Sequence, residues 1–137
     1  MANAIYPKAK QQFLQAGINM SSGTVKVALV DTAVYTYNAA HEFYDDGTTG
    51  DVASATVGTP QTLGTKTFTN GLFDAADSTF TAVSGATVEA LVIYLDTGTP
   101  TTSRLLAYYD TGVTGLPATP NGGDITVTWN ASGIFQL

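Results

Sequence analysis

The chain contains no cysteine. That absence removes a disulfide framework, a thiolate nucleophile and any sulfur-ligated zinc or iron centre. Charge is also scarce: Asp, Glu, Lys and Arg make up 12% of the residues, and five basic residues face eleven acidic ones for a formal net charge of −6. A surface of that sign repels phosphate backbones, so nucleic acid is not an expected partner. No stretch approaches the roughly 20 consecutive apolar residues of a membrane-spanning helix, and none is expected to enter a membrane. The start Met1-Ala2-Asn3-Ala4 lacks the basic and then apolar pattern of a signal peptide, which gives the expectation of a soluble protein that is not exported. Histidine occurs once, at His41, so a Ser-His-Asp relay has a single possible base, and no Gly-x-Ser-x-Gly elbow accompanies any serine.

Threonine and glycine are what the chain has in quantity, 23 and 14 of 137 residues. Threonine fits pleated strands and glycine fits tight turns, whereas a helical bundle would need more Leu, Glu and Lys. The fold class expected is mainly β, an antiparallel sandwich or barrel-like sheet with one short N-terminal helix. The length suits a single domain over 1–137, with 1–17 as an N-terminal segment and helix and 24–137 as the sheet region.

Pro7 to Gln15 reads as the helix, since proline suits the first helical position and Tyr6, Ala9, Lys10, Phe13 and Leu14 fall on one face before Gly17. The residues before it, Ala2 to Tyr6, are expected to be dispensable for folding. From Thr24 the apolar period becomes two: Val25, Val27 and Leu29 alternate with Thr24, Lys26 and Ala28, and Ala33 to Tyr37 continue the pattern. Ala39 to Tyr44 reads as one helical turn and Asp45 to Gly50 as a polar loop. Further strands are expected at Val52–Val57, Lys66–Thr69, Thr79–Val83, Thr87–Leu95, Arg104–Tyr109, Asp124–Asn130 and Ile134–Gln136, separated by glycine-bearing turns. Val88 to Leu95 is almost continuously apolar, the mark of a central strand covered on both faces. Trp129, in register with Ile125 and Val127, should anchor the core.

Three constellations imitate chemistry. Asp96-Thr97-Gly98 and Asp110-Thr111-Gly112 have the form of aspartic-protease loops, in which two carboxylates share one proton. Lying 14 residues apart, they should fall at opposite ends of the Arg104–Tyr109 strand, so ordinary turns are the expected reading and an aspartic-protease-like enzyme the weakest alternative. Gly58 to Thr67 resembles a phosphate-cradling loop, but Thr65 intervenes between Gly64 and Lys66 and spoils the spacing. His41, Glu42, Asp45, Asp46 and Asp51 form the one dense polar cluster. Its oxygens suit a hard cation, yet they follow no calcium-loop spacing, so a solvated turn is expected, with a metal as the alternative. No catalytic residue, cofactor or metal ligand is assigned.

Four segments carry a resemblance: Ala4-Ile5-Tyr6-Pro7-Lys8-Ala9-Lys10 before Phe13-Leu14, Val25 to Asp31, Thr62-Leu63-Gly64-Thr65-Lys66, and Gly122 to Trp129. Over nearly the whole chain the sequence resembles a family of small virion structural proteins of tailed bacteriophages, though shortened between Trp129 and Ile134. The resemblance implies capsid decoration, or cement, with the major capsid protein as partner, a homo-oligomer such as a trimer, and a place on the head exterior after assembly in the host cytoplasm. A tail-associated adaptor or fibre component is the alternative. The candidate contact residues are Ala2, Asn3, Ile5, Tyr6, Phe13 and Leu14 in the N-terminal segment and Leu116, Pro117 and Pro120 in the long Thr114–Gly123 loop, because termini and loops offer surface that the core does not use.

Overall fold

The computed structural model describes residues 3–137. It is mainly β, as the composition implies. Strands β1 (Ala4–Ile5), β2 (Thr24–Val30), β3 (Thr56–Thr62), β6 (Ala90–Asp96) and β7 (Arg104–Tyr109) form one antiparallel sheet in the order β1-β7-β6-β2-β3. Two ribbons complete it, β4 (Leu72–Phe73) with β9 (Phe135–Gln136) and β5 (Ser78–Phe80) with β8 (Ile125–Val127). Helix α1 (Pro7–Leu14) lies where the sequence places it, and a one-turn helix, α2 (Val52–Ala55), precedes β3.

The run of apolar residues in β6 is explained by its central place: Ala90 to Tyr94 are all buried. One face of the sheet is roofed by tyrosines, with Tyr44 stacked on Tyr94 at 4.4 Å and Tyr35 and Tyr37 packed on Tyr108 at 6.2 and 5.3 Å between centroids. On the other face Tyr109 meets Trp129 edge-on at 6.3 Å, while its hydroxyl donates to the Ile134 carbonyl at 2.8 Å. Trp129 is half-buried and packs against the core from just beyond β8.

Several expected elements differ, each for a local reason. Ala33 to Tyr37 is not a strand: the Asp31 carboxylate accepts from the Ala33 amide at 2.8 Å and the Asp31 carbonyl from Val34 and Tyr35, which turns the chain back. The alternation read there is the pattern of a loop lying flat on the sheet, with Tyr35 buried and Thr36 exposed. Ala39 to Tyr44 forms a turn and an isolated bridge from Phe43 to Arg104 in place of a helical turn. Val52 begins a helix because the Asp51 side chain caps it, accepting from the Ser54 amide at 2.8 Å, and Val52 and Ala55 are buried at helical spacing. The strand expected from Val52 begins at Thr56 and runs on through Pro60, which an edge strand tolerates because its outer amides need no partner.

Lys66 to Thr69 is not a strand either. The Lys66 ammonium donates to the carbonyls of Met20 and Gly23, both at 2.6 Å, and Thr67 bridges Asp74 across a short 3-10 turn. The strands expected from Thr79, Thr87, Asp124 and Ile134 are shorter or shifted, at Ser78–Phe80, Ala90–Asp96, Ile125–Val127 and Phe135–Gln136.

The residues just before the helix, read from the sequence as outside the 24–137 sheet region, are part of the sheet. Ala4 and Ile5 pair with Tyr108 and Ala107 at the sheet edge, and Tyr6 is fully buried, its amide bonded to the Leu106 carbonyl at 3.0 Å. The sheet therefore starts at β1, before α1.

Candidate functional site

The two Asp-Thr-Gly turns are held apart by the strand register. Leu95 pairs with Arg104 and Leu91 with Tyr109, so Asp96 and Asp110 lie at opposite ends of the β6–β7 pair. Asp96 accepts from the Gly98 amide at 3.0 Å and pairs with Lys26 at 2.9 Å. The Lys26 ammonium, with help from the Gly98 amide, holds the Asp96 carboxyl below its ordinary value despite partial burial. Asp110 accepts from the Thr111 hydroxyl at 2.9 Å. Each carboxylate serves its own turn.

Gly58 to Thr67 likewise forms no cradle: most of it is the edge strand β3, and the Lys66 ammonium points back to the Met20–Gly23 turn.

The acidic segment is a set of interlocked turns. Asp45 accepts from the Gly47 amide at 2.9 Å, and Asp46 accepts from the Thr48 amide at 3.0 Å while lying 3.3 Å from His41. Glu42 pairs with Arg104, whose guanidinium also sits 5.0 Å from the centre of the Phe43 ring. Asp51 is buried and takes the Ser54 and Asp46 amides at 2.8 and 3.2 Å. Burial pushes its carboxyl up, but the hydrogen bonds from Ser54 and Asp46 outweigh this and hold it below the usual range. Among the described residues no group of three His, Cys, Asp or Glu side chains is placed to hold a metal ion.

A lowered carboxylate contributes stability that is complete above its unfolded pKa and is lost as pH falls through the folded one. Asp51 and Asp96 should therefore leave stability flat from about pH 7 to 5 and lower it below about pH 4. Asp51→Ala removes the cap and strands the Asp46 amide, which should cost about 1–2 kcal/mol, or ~4–8 °C in Tm. Thermal melts with and without chelator check both points: the variant should melt lower and chelator should leave the wild type unchanged. A calcium-reversible drop on chelation would make this segment a metal site.

The candidate contact residues divide by exposure. Ala2 lies outside the described residues. Asn3 is exposed but clamps the Asp110–Thr111 turn, accepting from both amides at 2.9 and 3.1 Å and donating to the Thr111 carbonyl at 2.9 Å. Ile5 is half-buried in β1, and Tyr6 belongs to the core and offers no surface. Leu116 and Pro120 are half-buried and Pro117 is exposed; their loop is tied down by two backbone bonds between Val88 and Ala118, at 2.8 and 2.9 Å.

Phe13 and Leu14 are placed differently. Leu14 is 90% exposed, the most of any large apolar side chain described. Phe13 lines an open groove of about 320 Å³ walled by Ile18, Met20, Phe68, Phe73 and Phe135, and Leu137 at its rim is 60% exposed. The sequence offered no signal for this groove, because its walls come from three separated segments, 13–20, 68–73 and 135–137. Its charge setting is distinct as well. Lys26, Lys66 and Arg104 are engaged, whereas Lys8 and Lys10, both exposed on α1, form no ion pair among the described residues. No protein-family model matches the chain, and no curated protein matches it.

Proposed function

We propose that this chain is a virion structural protein that binds the outside of an assembled bacteriophage head in many copies and strengthens it, with the major capsid protein as its partner. The observation that carries the reading is the segregation of surface on α1: Lys8 and Lys10, without an ion pair among the described residues, lie on the same short helix as exposed Leu14, beside the apolar groove, in a chain of net charge −6. The sequence resemblance to tailed-phage structural proteins supports it. An apolar patch with a cationic rim suits a coat surface that presents carboxylates around an apolar contact. Each contact is weak by itself, and repetition over a lattice makes the assembly firm. Binding only to the assembled state also stabilises that state by mass action. Self-association, with a trimer as the first state to test, would multiply the contacts further.

Lys8→Glu, Lys10→Glu and Leu14→Asp alter only exposed side chains, so the variant carrying all three should fold normally. Co-sedimentation with expanded heads should show at least a ~10-fold loss of affinity, about 1.4 kcal/mol. Unchanged binding would remove α1 from the interface.

A further inference from the structure

We propose that the cleft between the end of β7 and the chain's last turns is a binding site for a neutral saccharide, recognised through Trp129 and the polar side chains around it. The cleft holds about 390 Å³, within the range of small-molecule sites of about 300–1,000 Å³. Its floor is aromatic: Tyr109 and Trp129 meet at 68°. None of the five Lys and Arg residues and none of the eleven Asp and Glu residues lines it. A phosphate, a carboxylate ligand or an ammonium ligand would find no counter-charge there among the described residues.

The polar groups are of another kind. The Trp129 indole N–H is buried and has no hydrogen-bond partner among the described residues. A buried indole normally finds one, and leaving the donor unpaired costs its desolvation. Thr128, Asn130 and Ser132 are exposed residues of the cleft lining, and their side-chain hydroxyls and amide N–H₂ have no hydrogen-bond partner among the described residues. Hydroxyl and amide groups at the edge of an aromatic floor match the C–H faces and hydroxyl rim of a pyranose ring. An unbranched apolar ligand would leave these donors unsatisfied.

The walls are set before any ligand arrives. Asn3 clamps the Thr111 turn with three hydrogen bonds. The Asp77 carboxylate accepts from the Trp129 amide at 3.0 Å, and the Thr128 amide bonds to the Thr114 carbonyl at 3.2 Å. The turn that carries Asn130 and Ser132 closes through Gly133, whose φ of 98° places a would-be Cβ 2.6 Å from Leu72. Only glycine fits there. The backbone is thus fixed while the exposed side chains of Thr128, Asn130 and Ser132 make no internal hydrogen bond that a ligand would have to break, which is the arrangement of a preformed site.

Trp129 is the chain's one tryptophan, so a single indole resonance reports on the cleft. The full chain, labelled with ¹⁵N, is titrated with the methyl glycosides of glucose, galactose and mannose, with N-acetylglucosamine, and with methyl glucuronide as the charged control. At least one neutral probe should move the indole resonance saturably, with a dissociation constant on the order of 1–10 mM. Asn130→Asp keeps the side-chain oxygen that accepts from the Ser132 amide at 2.8 Å and removes the free N–H₂. That change and Ser132→Ala should each weaken the neutral probe about two- to tenfold, with the rest of the spectrum unchanged. No movement with any neutral probe at about 50 mM, tighter binding of the glucuronide, or unaltered affinity in both variants would each overturn the proposal.

Discussion

Replacing Tyr6 with alanine is expected to destabilise the protein by about 3–5 kcal/mol, the range for emptying a large aromatic site in a core. The side chain is fully buried, packs 5.2 Å from the Tyr37 ring, and its hydroxyl meets that of Tyr35 at 2.7 Å inside the core. Its backbone precedes Pro7 and sets the direction in which α1 leaves the sheet. Tyr6→Phe separates ring from hydroxyl. It keeps the packing and leaves the Tyr35 hydroxyl without its Tyr6 partner, so about 1–3 kcal/mol should be lost. Urea denaturation of both variants checks the order. A phenylalanine variant as unstable as the alanine variant would mean that the hydroxyl pair, and not the ring, holds the segment. A deletion through Tyr6 should destabilise at least as much as Tyr6→Ala, so the N-terminal segment cannot be removed to isolate a surface arm without disturbing the sheet.

The second large effect should appear in alkali. All seven tyrosines are held above their ordinary value, chiefly by burial. Tyr6, Tyr94 and Tyr109 are displaced strongly, the Tyr94 hydroxyl also by Tyr44 and Asp96. Tyr108 is pushed up to about 12 by burial and then by Asp110. A group raised in the folded state contributes stability that is full below its unfolded pKa and is lost as pH rises toward the folded value. Each tyrosine that stays protonated in the fold while the unfolded chain ionises removes about 1.4 kcal/mol per pH unit above ~10. Four such groups would consume a stability of 5–15 kcal/mol within about one to three pH units. Tyrosinate absorbance should therefore stay low through about pH 10.5 and then rise in one cooperative step with the loss of β-sheet dichroism. A gradual rise centred near 10, with the sheet intact, would contradict the tyrosine roof.

Where the sequence was legible, side-chain period and backbone pairing coincided. Thr24–Val30 and the Pro7 helix start have side chains whose spacing matches the element they form. The misread segments are those in which a short polar side chain captured the backbone. Asp31 turned an alternating stretch into a loop, and Asp51 converted a β-branched start into a helix. Such captures depend on one rotamer and leave no period to detect. β1 was missed because two residues cannot show an alternation. The separation of the Asp-Thr-Gly turns was legible because one strand length fixed it.

The groove beside α1 and the cleft around Trp129 were not legible. Phe13, the Phe68–Phe73 segment and Phe135 lie far apart in sequence, and the pairing of Phe73 with Phe135 that joins two of the walls shows only in the fold. Trp129 reads in sequence as a core anchor, and its ring does pack on Tyr109; the orphaned indole N–H shows only once its surroundings are placed.

The most direct test of the functional reading is a reconstruction of the intact virion that contains this chain. The account predicts its density in many copies on the outer face of the head lattice, with α1, Lys8, Lys10 and Leu14 against the coat protein, and particles lacking the chain should break at lower temperature. Density confined to a single ring at the tail would contradict it.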